Sequence, residues 1–111
     1  MKFLIIPKIQ DLLTMEEREL IENSLYGADN LTIHSIHSIL DSVEAVTQKS
    51  KDTLYEYAHW HMTAFFDRWM ELASRDRTAE TEAEKAERNR IWHEMGKWRV
   101  IAHKIQAVTV K

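Results

Sequence analysis

Between Asn30 and Ser74 the chain has neither glycine nor proline. Its 111 residues hold two glycines, Gly27 and Gly96, and one proline, Pro7. An all-β protein needs a turn every several residues, and turns draw on glycine and proline; this supply is too small. Good helix formers dominate the second half of the chain. The fold class expected is therefore all-α: a small helical bundle built on a long helical hairpin.

The spacing of apolar residues divides the chain. Thr14 with Glu17 three residues on reads as a capping box, and Gly27 stands where a left-handed helix end is wanted. A first helix is predicted over 15–26. From there Ile33, Ile36, Leu40 and Val43, then Leu54, Ala58, His61, Phe65, Trp69 and Leu72, keep three-four spacing on one face. Thr47 and Ser50 interrupt the stripe. One helix over 31–75 would reach roughly 68 Å at 1.5 Å per residue. A compact chain of this length is only about 35 Å across. Either 31–75 breaks near 48–52, with Ser50 or Asp52 capping a new helix, or the molecule is an elongated hairpin in an oligomer. The break is the reading preferred.

Ten charged residues lie between Arg75 and Arg90. They read as the solvated start of a last helix over 78–109, capped by Thr78, with Glu84 and Arg88 as an i,i+4 pair. Ile91, Met95, Trp98, Ala102, Ile105 and Val108 give that helix its buried face. Phe3–Ile6 is a short apolar run halted by Pro7 and Lys8, and residues 1–10 are expected as an extended arm. Nothing in the pattern splits 1–111 into two domains.

Composition excludes several functions. The net charge of −3 offers no basic field for nucleic acid. With no cysteine there is no disulfide and no thiolate metal site, and a cytoplasmic location is expected. Residues 1–13 are too short in apolar run for a signal peptide, and no stretch approaches a membrane span. Two isolated glycines build no phosphate loop. His34 and His37 share a helical face but lack a third ligand, and Glu56-x-x-His59 lacks the second copy that a di-iron bundle needs. No metal and no cofactor are expected.

Two features remain. Tyr55–Met70 concentrates aromatic side chains over a wide helical arc, as a central or interface helix does. Trp60, Phe66, Trp69 and Trp92 are the candidate contacts, because tryptophan is favoured at interface hot spots. The second is Arg88-Asn89-Arg90-Ile91-Trp92-His93. It resembles the Arg-x4-6-His motif of HEPN-domain ribonucleases, small helical proteins that dimerise to build a metal-independent RNA-cleaving site. The resemblance implies that Arg88 stabilises phosphate, His93 moves protons and Asn89 orients them. It covers six residues, and Glu94-Met95 stand where a Gly-Tyr would follow. On one helix, residues five apart point about 140° from each other, so the pair converges only across a dimer.

The reading adopted is a non-enzymatic, homo-oligomeric helical adaptor or inhibitor that binds a protein partner. A phage protein that blocks a host enzyme or defence system would have this character. The alternatives are a HEPN-like ribonuclease using Arg88 and His93, and a helical oligomer that sequesters a nucleotide or other planar ligand at Tyr55–Met70.

Overall fold

The computed structural model describes residues 8–75 and 77–110. Among these are five α-helices and no strand: α1 (Ile9–Leu12), α2 (Met15–Ser24), α3 (Asn30–Leu40), α4 (Gln48–Ala73) and α5 (Glu82–Gln106). A 3-10 turn, Arg77–Ala79, precedes α5. The expected apolar run 3–6 lies outside the described residues. The extended arm is corrected at its end, where Ile9–Leu12 turn helically and bury Ile9.

Local chemistry explains each boundary. Thr14 accepts from the Glu17 amide at 3.1 Å while the Glu17 carboxylate accepts from the Thr14 amide at 2.9 Å, the reciprocal pair read from sequence. Helix α2 stops at Ser24, two residues short of expectation, and Gly27 takes φ 87° beyond it. A side chain there would be strained. The Asp29 carboxylate caps α3 by accepting from the Thr32 amide at 2.7 Å.

The 31–75 segment does break, but at 41–47 rather than 48–52. Ser42 turns back on the Glu44 amide, and Lys8 and Ala45 form an isolated antiparallel bridge. Val43, expected on the buried stripe, is exposed in this connection, and Val46 dips into the core. Thr47, not Ser50 or Asp52, caps α4. Ser50 is its partner three residues on, in a capping box built from two hydroxyls. The last helix likewise starts later than expected: Thr81, not Thr78, accepts from the Glu84 amide at 3.1 Å.

Helices α4 and α5 pack antiparallel as the hairpin. Trp69 lies beside Trp92, His61 beside Trp98, and Lys51 donates to the Val108 carbonyl at 2.6 Å. The core gathers at the base of this hairpin, where Leu54, Ala58, Trp98, Ile101, Ala102 and Ile105 meet Ile21, Ile36 and Leu40. Arg18 ties α2 to Asp41, Lys104 donates to Glu17, and Tyr57 shares a 2.7 Å hydrogen bond with Ser24. Beyond that base the hairpin continues as an arm. Leu72, Ile91 and Met95 are buried along it but stand outside the main cluster. The molecule accordingly measures 59 × 37 × 20 Å, with a radius of gyration of 16.7 Å. A compact chain of this length would have about 13 Å.

Candidate protein-interaction surface

Two sides of the hairpin differ in what covers them. At about 100° per residue, Tyr57, His61, Ile101 and Lys104 lie on one side, towards α2 and α3. Their partners Ser24 and Glu17 place α2 there. On the opposite side Asp52, Glu56, His59, Phe66 and Met70 of α4, and Lys85, Trp92, Arg99 and His103 of α5, are all exposed.

The arm of this open side carries an aromatic cluster. Trp69 and Trp92 meet with ring centroids 4.9 Å apart, and Phe66 stacks near Trp69 at 6.5 Å. Trp69 is half-buried between the helices. Phe66, Met70 and Trp92 stay 43%, 49% and 47% exposed. Of the four expected contacts, the fold thus gathers Phe66, Trp69 and Trp92. Trp60 is elsewhere: it is 65% exposed, edge-on to His61, over a groove of ≈ 460 Å³ shared with Tyr26, Thr32 and Tyr57. Met70 joins the cluster through its four-residue spacing from Phe66. That Trp92 faces these α4 residues could not be read without the register of the hairpin.

His61 is half-buried where the Trp60 groove meets the core. Its ring stacks on Trp98 at 4.4 Å and 12°, with Tyr57 edge-on. Burial pushes its pKa below the ordinary 6.5. The unfolded chain then takes up a proton that the folded site resists. Stability should fall as pH drops below about 6.5 and level off below the folded pKa. Glu17 acts lower on the scale. Burial would raise its pKa, but hydrogen bonds from Lys104 and Thr14 outweigh it and hold it below 4.5. His61→Phe should therefore flatten the fall in stability that sets in below about pH 6.5, read from urea midpoints.

The expected ribonuclease residues are not assembled within one chain. Arg88 does not pair with Glu84, as its spacing suggested. Its guanidinium reaches Glu80 at 3.3 Å, with the two side chains 17% and 14% exposed. The 3-10 turn and the late start of α5 bring Glu80 over Arg88 and leave Glu84 engaged with Thr81. Asn89 and His93 are exposed, and His93 points about 140° away from Arg88. Arg88→Ala should cost about 1–2 kcal/mol in urea unfolding, because it leaves a half-buried Glu80 unpaired. His93→Ala should stay within about 0.5 kcal/mol.

His34 is exposed and His37 half-buried on α3, and no three His, Asp or Glu side chains among the described residues group as a ligand set. No described helix is long and apolar enough to cross a membrane. No protein-family model, no curated protein and no solved structure matches the chain.

Proposed function

We propose that the protein is a non-enzymatic helical adaptor or inhibitor that works by binding protein through the open side of its α4–α5 arm. The observation that carries this reading is the Phe66–Trp69–Trp92 cluster, held by its own ring contacts and still open to solvent. Solvent-facing aromatic side chains grouped in this way are the usual anchors of a protein interface. Because the rings already touch, little rotamer freedom is lost when a partner covers them. The surrounding charged residues give such an anchor a polar rim.

The reading is tested by capture from a cell lysate with the tagged full chain, together with measurement of self-association. Phe66→Ser and Trp92→Ser should each abolish the binding seen with the parent chain, whether to itself or to another protein. Trp60→Ser, on the other side of the hairpin, should keep it. A chain that binds neither itself nor any protein would overturn the reading, as would binding indifferent to Phe66 and Trp92.

A further inference from the structure

We infer that the occupant of this open side is a second copy of the chain, related by a two-fold axis running along the hairpin. Each α4 then lies on the other copy's α5, and the two arms close into a four-helix bundle. The inference rests on the reading of this side as an interaction surface and goes on to name what it binds and in which orientation.

The first argument is architectural. Along the arm, α4 and α5 bury Leu72, Ile91 and Met95 between them, but among the described residues no helix covers Phe66, Met70 and Trp92. Two helices make one layer, and a layer with an apolar face is completed by a second layer. A second hairpin of the same length supplies it as a four-helix bundle. The size also fits. A 26-residue helix spans about 39 Å, and two helices side by side are about 20 Å wide, so the face offers roughly 800 Å². That is about what one partner contributes to a stable interface.

The second argument is charge, and it selects the orientation. The α4 edge of the open side carries Asp52 and Glu56 near the base; the α5 edge carries Lys85 near the tip and Arg99 towards the base, with His103 one turn beyond Arg99. Glu56, Lys85 and Arg99 form no ion pair among the described residues. An axis along the hairpin lays Glu56 of each copy near the Arg99–His103 stretch of the other. The alternative axis, across the hairpin at the level of Trp69 and Trp92, lays α5 on α5 and brings Lys85 of one copy onto Arg99 of the other, since each stands seven residues from Trp92. Like-charge juxtaposition of that kind disfavours an interface.

The aromatic register agrees with the chosen axis. Trp69 and Trp92 stand at the same height in the hairpin. Rotation about an axis parallel to the helices keeps that height. Phe66 and Trp69 of each copy therefore cover Trp92 of the other. The same register brings Glu56 of one copy within about a turn and a half of helix of Arg99 in the other.

Sedimentation equilibrium of the full chain tests the inference. The expected mass at high concentration is twice the chain's 13.2 kDa. Arg99→Glu should weaken the dimer about tenfold, and adding Glu56→Lys to it should restore the affinity. Far-UV circular dichroism checks that each variant keeps its helices, since both substituted positions are exposed. A dimer tightened or unchanged by Arg99→Glu would overturn the orientation, and with it the inference. A monomer at every concentration would overturn it too. In that case lysate capture still sensitive to Phe66 and Trp92 would show that the side serves a different protein, and loss of capture as well would remove the reading beneath it.

Discussion

Trp98→Ala should lower the unfolding free energy by about 3–5 kcal/mol, the range for truncating a fully buried tryptophan. Trp98 is the largest side chain sealed from solvent, and the base of the hairpin is arranged around it. His61 lies flat on one face of the indole and Tyr57 meets it edge-on at 6.0 Å. Tyr57 in turn holds Ser24 of α2. Removing the ring therefore opens a cavity at the point where α4, α5 and α2 are joined. A domain of this size has only about 5–15 kcal/mol to lose, so the variant should melt many degrees below the parent. His61 should respond as well: with the indole gone, water reaches the imidazole and its pKa should rise back towards the ordinary value. Urea unfolding measures the first effect, and the acid limb of the stability profile measures the second. A loss under about 1 kcal/mol would mean that the base is not held by this residue.

How much of this was legible in sequence depends on whether a residue's role was decided by its own helix. Ile91, Met95, Trp98, Ala102, Ile105 and Val108 were expected as a buried face, and all are buried. They lie along one uninterrupted 25-residue helix and just past its end, so three-four spacing suffices. The Thr14–Glu17 box was legible for the same reason. The break in 31–75 was half legible. Helix length against globule size demands it, but with Ser50 or Asp52 as the cap it falls too late, because Thr47 looks only like a gap in the apolar stripe. Thr47 and Ser50 are the two halves of one cap. Hydroxyl side chains compete with the helical backbone for its own hydrogen bonds, so such a pair ends or starts a helix without any glycine or proline. Thr81 with Glu84 is the same kind of signal, three residues after Thr78.

The interface candidates show where one chain's pattern stops informing. Trp60, Phe66, Trp69 and Trp92 are alike in sequence terms. Which of them share a face depends on the register of α4 against α5 and on the side that α2 occupies. Both are tertiary facts: Lys104 reaching Glu17 and Tyr57 reaching Ser24 decide the covered side. Arg88 is a similar case. Its i,i+4 partner was present, but the turn before α5 delivered Glu80 instead.

Leu54→Ala and Leu72→Ala make the same chemical change on the same helix, and their costs should differ. Leu54 is wholly buried where α4 meets the cluster formed with α2, α3 and α5. Packed side chains from several elements surround it and cannot all move in, so the residual cavity should be large and the cost about 4–5 kcal/mol. Leu72 is also buried, but near the tip of the arm, where its surroundings include Arg75, Glu80, Glu84 and Arg88. Long polar side chains can swing into the vacated space and water can follow them. The cost there should be about 2 kcal/mol, the low end for such a truncation. Urea unfolding of the two variants gives the comparison, and native-state hydrogen exchange extends it. Amides of α4 near Leu54 should open only with global unfolding, whereas those near Leu72 should open at lower free energy through separation of the arm. If the arms of two copies close on each other, exchange near Phe66 and Trp92 should slow as protein concentration rises, because association stabilises by mass action. Equal costs at Leu54 and Leu72, with uniform exchange along α4, would mean that base and arm unfold as one unit.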